Sequence, residues 1–222
     1  MYKCMIKRGL DWILSGLAIL LLALPMLAIV IAIKIDDPGP ALFRQKRVGR
    51  KKNGQITYFT IWKFRSMKMS TPRDVPTHLL KDPEQYITRV GAFIRKTSLD
   101  ELPQIYQVFT GKLSFIGPRP ALWSQDDLVA ERERYGANDI KPGLSGWAQI
   151  NGRDELSLVQ KAEYDGAYAA ALNAGRGKGF AMDVRCFFGT FIRVLRRDGV
   201  VEGCIEEMDS PDEKKDEEWI SK

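Results

Sequence analysis

The chain has 222 residues, 45% of them apolar and 28% charged, a composition that fits one compact domain and excludes a disordered, collagen-like or disulfide-stapled protein. Its formal charge is +6, and because residues 205–222 hold eight acids against three lysines, a net −5, the preceding 204 residues carry +11. Such a basic body favours anionic partners: nucleic acid, lipid headgroups, or nucleotide and prenyl phosphates. Cys4, Cys186 and Cys204 lie far apart with no CxxC, and His78 is the single histidine. A zinc site, a disulfide framework and a Ser/His/Asp triad are therefore disfavoured, and catalysis is left to carboxylates, arginines or a metal.

Between Asp11 and Lys34 run 22 residues without a charge, roughly 33 Å as a helix against a ~30 Å hydrocarbon core. The stretch exceeds a signal-peptide h-region, and no small-x-small cleavage pattern follows it. Pro25 predicts a kink or break after Leu24, because it lacks an N–H and clashes with the preceding turn, and each half is then too short to span. Lys3, Lys7 and Arg8 precede the segment, while Lys34, Arg44, Lys46, Arg47, Arg50, Lys51 and Lys52 follow it. A spanning helix would strand the first three cations outside, whereas a re-entrant one strands none. These residues leave both forms open, and either places the body in the cytoplasm.

Residues 41–67 read as two β-prone runs around Asn53-Gly54, a strong hairpin signal. Alternation on the second run sets Tyr58, Thr60, Trp62 and Phe64 on one face and Phe59, Ile61, Lys63 and Arg65 on the other, so the two cations project together, as a solvated basic face or toward an anion. Residues 70–83 read as a loop in which His78 has no chemistry. In the segment that follows, Leu102, Ile105, Tyr106 and Phe109 recur at helical spacing with Gly111 as the stop. Pro103 belongs in the first turn of that helix, which puts Asp100 at or beside its N-cap and makes Glu101 a first-turn acid.

In Gly117-Pro118-Arg119-Pro120 two prolines stiffen the backbone around an arginine, a rigid fork suited to phosphate, though a plain turn carrying a surface arginine reads equally well. Residues 125–135 and 155–172 read as helices, and residues 141–153, with three glycines, as a close-approach loop or a tight connection. Residues 184–197 form a helix with Phe187, Phe188, Phe191, Val194 and Leu195 on one side, flanked by Arg185, Arg193, Arg196 and Arg197, either an interfacial amphipathic helix or a core helix with a solvated rim. The acidic tail is expected to be disordered.

The apolar helix with its central proline, Lys63-Phe64-Arg65-Ser66-Met67, Thr97-Ser98-Leu99-Asp100-Glu101-Leu102-Pro103-Gln104, Gly117-Pro118-Arg119-Pro120 and Gly146-Trp147-Ala148-Gln149-Ile150-Asn151-Gly152-Arg153 together resemble the monotopic polyprenol-phosphate phosphoglycosyl transferases, the bacterial sugar transferase family, over residues 6–197 and in its short catalytic form. The resemblance implies an α+β fold, mostly helical with a small β-hairpin or sheet, a re-entrant anchor broken at Leu24 and Pro25 over residues 1–36, interfacial amphipathic helices, and a catalytic domain over residues 37–204 before the tail of 205–222. It implies transfer of a sugar-1-phosphate from a nucleotide diphosphate sugar, usually a UDP-sugar, to undecaprenyl phosphate, with release of UMP, at the cytoplasmic face of the bacterial inner membrane. By the same resemblance Asp100 is the nucleophile that forms an aspartyl phosphosugar. Glu101 is its partner in metal or proton handling, the two hold Mg2+, Arg95 and Arg119 contact phosphate with Lys63 and Arg65 as further contacts, and Trp147, Gln149, Asn151 and Arg153 form a nucleotide-sugar loop. Membrane lipid is an implied partner, nucleic acid has no role, and a homodimer is compatible. The chain departs from the family pattern in the Gly-rich stretch of residues 172–180, where sugar specificity does not carry over. A different class of function, a membrane-anchored basic adaptor binding anionic lipid or nucleic acid, accounts for the charge and the anchor but gives Asp100, Glu101 and Arg119 nothing to do.

Overall fold

A computed structural model describes residues 2–71, 82–152, 155–175 and 177–196. His78, Arg153, Arg197 and the acidic tail lie outside the described residues. A π-helical turn, Tyr2–Ile6, leads into α1 (Lys7–Asp36), followed by β1 (Leu42–Val48), β2 (Tyr58–Phe64), α2 (Arg89–Lys96), α3 (Gln104–Phe109), β3 (Ser114–Ile116), α4 (Asp126–Arg134), β4 (Gly143–Ser145), α5 (Trp147–Ile150), α6 (Leu158–Asn173) and α7 (Lys178–Arg196). β1 and β2 pair antiparallel, and β3 and β4 pair in parallel. The fold is α+β and mainly helical, as expected.

α1 corrects the break expected at Leu24 and Pro25, though not the kink. It runs as a single helix with Pro25 inside it, so the helix does not stop at Leu24. Proline removes one intrahelical hydrogen bond, which the bonds on either side bridge. Only 6% of its most apolar 18-residue window is buried, so it is not the core helix of a soluble body. Leu17, Leu20, Leu21, Leu24 and Leu27 are all exposed.

Both ends of α1 are fastened to the body. At the N-terminal end Lys7 donates to Asp183 at 2.7 Å, Arg8 donates to the Val108 and Phe109 carbonyls at 2.7 Å each, and Asp11 accepts from Ser114 Oγ and the Phe115 amide at 3.1 Å each. Arg8 thereby satisfies the last carbonyls of α3, which have no partner inside their own helix. Trp12 stacks on Phe109 with ring centroids 5.8 Å apart. At the other end Met26, Ile29, Val30 and Ile33 join the core of Phe64 and Ile94, and Asp36 accepts from the Val90 amide at 2.8 Å.

α7 is amphipathic in an unusual sense. Asp183 and Cys186 face inward, while Phe180, Val184, Phe187, Phe188, Phe191 and Ile192 are exposed. A core-packing helix would bury that aromatic stripe, so the interfacial reading is the one the structure keeps; the side chains of Val194, Leu195 and Arg196 lie outside the described residues.

Two glycines of residues 141–153 serve close packing of backbone on backbone. A Cβ on Gly143 would lie 2.2 Å from the Gly117 nitrogen, and one on Gly146 would lie 2.2 Å from the Gly117 oxygen. Neither contact can relax by a side-chain movement. Gly143→Ala is therefore expected to cost about 3 kcal/mol and to lower the melting temperature by about 10 °C; an unchanged melting curve would show that this approach is looser than it is drawn.

Candidate active site

Asp100 and Glu101 do not sit at the start of α3. They lie in a separate 3-10 turn, Leu99–Glu101, and Pro103 holds the N-cap position of α3. Ser98 precedes the turn in the left-handed region at φ 56°, an uncommon conformation for a side chain of this kind. It swings the chain away from α2. Leu99 and Leu102 then pack into the core of Ile33, Phe64 and Ile94, pinning the turn on both sides of the carboxylates. The floor of the site is thus shared with the C-terminal half of α1.

Three further elements bring cations to this turn. Lys63, on β2, reaches Glu101 Oε1 at 2.8 Å and Asp100 Oδ2 at 3.7 Å. Arg119, from the Gly-Pro-Arg-Pro turn after β3, donates to the same Glu101 oxygen at 2.7 Å. Arg95, in the last turn of α2, adds positive potential at Asp100. The two carboxylates consequently behave differently. Burial alone would raise the Glu101 carboxyl, but the charges and hydrogen bonds of Arg119 and Lys63 outweigh it and hold Glu101 well below the usual range. Burial wins at Asp100, aided by the negative charge of Glu101, and keeps it above the ordinary aspartate value against the pull of Lys63, Arg95 and Arg119.

Arg65 does not join them. β2 ends at Phe64, and beyond it Arg65 turns to the side chain and carbonyl of Asp37, where α1 ends. Its task is to tie the anchor to the sheet. Trp147 packs on the core of Ile116, Tyr168 and Cys186, Asn151 donates to the Trp147 carbonyl at 2.7 Å, and the Gln149 carbonyl accepts from Arg193 at 3.2 Å. The structure thus sets these three against the core and α7 rather than against the carboxylates.

Sequence reasoning missed Arg47. On β1 it shares the face of Lys63, since Arg47 pairs with Phe59 and Phe43 with Lys63. It donates to the Pro120 carbonyl at 3.1 Å. Burial, together with the charge of Arg119, brings its guanidinium down to about 10, with Glu101 pulling the other way. The register set at the Asn53-Gly54 turn would not have found it, because the pairing slips by one residue before β1 meets β2.

Four cations converging on two adjacent carboxylates leave a surplus of positive charge, which suits a ligand bearing more than one phosphate charge. The bacterial sugar transferase family model matches residues 2–197. The chain belongs to that family. This sugar transferase is 40% identical over 168 residues to the UDP-glucose:undecaprenyl-phosphate glucose-1-phosphate transferase of Escherichia coli (strain K12), covering 72% of this chain and 34% of that protein. It is 35% identical over 214 residues to the undecaprenyl-phosphate galactose phosphotransferase of Salmonella typhimurium, covering 87% and 41%. It is also 36% identical over 171 residues to an uncharacterized sugar transferase, EpsL, of Bacillus subtilis (strain 168), covering 77% and 78%. The chain spans between 34% and 42% of the length of most of these curated relatives.

Proposed function

We propose that this sugar transferase moves a sugar-1-phosphate from a UDP-sugar to undecaprenyl phosphate, releasing UMP, as the first membrane step in building a surface glycan. The observation that carries this reading is the division of labour at Asp100 and Glu101: one carboxylate is neutralised by Lys63 and Arg119, and its neighbour is less engaged. Asp100 attacks the sugar-bearing phosphorus, an aspartyl–phosphorus bond forms, and the bond to the UMP oxygen breaks. An oxygen of the prenyl phosphate then attacks the same phosphorus and the Asp100 carboxylate leaves. Arg119 and Lys63, with Arg95 behind them, offset charge on the phosphoryl oxygens. Glu101, held ionised, is a poor base and serves to keep Lys63 and Arg119 in place.

Two adjacent carboxylates in a phosphate-binding surround suit Mg2+, which one or two carboxylates and substrate phosphates commonly hold. No cluster of three metal-ligating acidic, histidine or cysteine side chains occurs among the described residues, so the donors for an ion at this site would be these two carboxylates and substrate oxygens. Asp100 and Glu101 would hold the ion, which supplies charge neutralisation on the diphosphate when bound.

The membrane reading follows from the attachment of α1. A helix of 30 residues is roughly 45 Å long, and one crossing a bilayer would separate its ends by the ~30 Å core. Here both ends grip one body, which supports our reading that α1 dips into a single leaflet, with the flanking cations favouring the cytoplasmic side. Its exposed leucines and the aromatic stripe of α7 meet lipid, and the prenyl tail of the acceptor stays there while its phosphate reaches the turn packed on α1.

The test is UMP release in nanodiscs with undecaprenyl phosphate, using UDP-glucose, UDP-galactose and UDP-N-acetylgalactosamine, with and without Mg2+. Release from one donor that depends on the acceptor is expected, and silence with every donor would overturn the reading. Because the ionised form of Asp100 is the nucleophile and its carboxyl is raised, activity should fall as pH drops, with the acid limb of the kcat/KM profile above the ~3.9 of a free aspartate. A limb at or below that value would detach the titration from Asp100.

A further inference from the structure

The turn that carries Arg119 is held through its carbonyls. Pro118 and Pro120 have no N–H to give, and four consecutive carbonyls are taken by four different donors. The Gly143 amide bonds to Pro118 O at 2.9 Å, Arg132 Nη2 to Arg119 O at 3.0 Å, Arg47 Nη1 to Pro120 O at 3.1 Å, and the Val48 amide to Ala121 O at 3.0 Å. Of these, the bond on residue 119 itself comes from a buried side chain. Arg132, on α4, is 6% exposed, and its Nε and Nη2 also bind Asp165 Oδ2 on α6 at 2.8 and 2.5 Å.

A buried ion pair is weak evidence of stability, because desolvating both charges offsets most of their attraction. What this pair supplies is geometry. A guanidinium is planar and can engage a carboxylate through two nitrogens while still donating to a carbonyl; an ammonium is a point charge on a flexible stem. The path from α6 through Asp165 and Arg132 to the Arg119 carbonyl therefore fixes the origin of the side chain that ends on Glu101.

We propose that Arg132, locked by Asp165, is a positioning residue that acts on phosphoryl transfer through Arg119. The inference rests on the reaction proposed above, and it assigns to α4 and α6 a part in the chemistry although neither helix touches the carboxylate turn. Displacement of a charge-stabilising group by a fraction of an ångström to 1 Å is enough to cost one to two orders of magnitude in rate.

The test is a double-mutant cycle on UMP release. Arg132→Lys keeps the positive charge beside Asp165 but cannot bridge to the carbonyl, and it is expected to lower kcat about tenfold while leaving the melting temperature within a few degrees. In an Arg119→Ala background the same change should alter kcat by less than about twofold, because the group through which it acts is gone. Asp165→Asn, which frees the Arg132 fork, should repeat the pattern. Equal losses in both backgrounds would overturn the proposal and leave the pair a packing element. If the wild-type chain gives no UMP with any donor, the reaction itself is wrong. The cycle is then read on UDP affinity, where non-additivity supports the positioning role and additivity removes it.

Discussion

Asp100→Asn should stop UMP release, lowering turnover by about a thousandfold or more, and should abolish covalent labelling of the protein by a donor radiolabelled in its β-phosphate. The amide has nearly the same shape, but its uncharged oxygen is too weak a nucleophile to form the acyl phosphate bond. The fold should survive. Burial already disfavours charge at this position, so a neutral isostere removes a cost, and the melting temperature should hold or rise. Turnover within tenfold of the wild type, or persistent labelling, would move the nucleophile elsewhere.

Cysteine labelling should place both ends of α1 on one side of the membrane. With Cys4, Cys186 and Cys204 replaced by alanine, Met5→Cys and Lys34→Cys flank the apolar run, and both positions are exposed. A membrane-impermeant maleimide added to intact cells should label neither, and permeabilisation should make both reactive to similar extents. Labelling of Met5→Cys alone in intact cells would mean a spanning helix. The contacts of Lys7, Arg8 and Asp11 with the body would then be impossible, since a body bound to Ile33 and Asp36 lies at the other end. The experiment is all-or-none because charge at the bilayer centre is too costly to leave the answer intermediate.

The apolar helix was legible because 22 uncharged residues admit few other fates, and α6 and α7 because their periodicity is long. The carboxylate pair was legible as a pair but misplaced. Pro103 fits the first turn of a helix, and nothing local announces that Ser98 turns left-handed and sets Asp100 in a turn of its own. Arg47 was hidden by register. Asn53 and Gly54 both have positive φ and close a turn at Lys52 and Gln55, the geometry favoured for a two-residue hairpin. Continued without interruption, that register would set Arg47 beside Thr60. Three residues, 49–51, instead face two, 56–57, before Val48 meets Tyr58, and this one extra residue moves Arg47 to the face of Lys63. Lys63 and Arg65 diverge for a similar local reason, the strand ending between them. The Arg132–Asp165 pair joins helices 33 positions apart, and within Glu131-Arg132-Glu133-Arg134 the one inward arginine looks like its solvated neighbour. Such pairings are properties of packing, which no local pattern encodes.

Asp183 receives Tyr2 at 2.5 Å, Lys7 at 2.7 Å and Tyr168 at 2.6 Å, so the first residues of the anchor complete the coordination of a buried carboxylate near the end of the fold. The membrane segment is thus a wall of the building rather than a leash tied to it. Trimmed at residue 36, the body would keep a buried carboxylate shorn of two of these three donors and would lose Ile33 from the core beneath its reactive turn. Proteolysis of the anchor would then yield a damaged fragment instead of a freely diffusing catalyst. For this protein, keeping the apolar helix and keeping the reactive turn in order are a single condition.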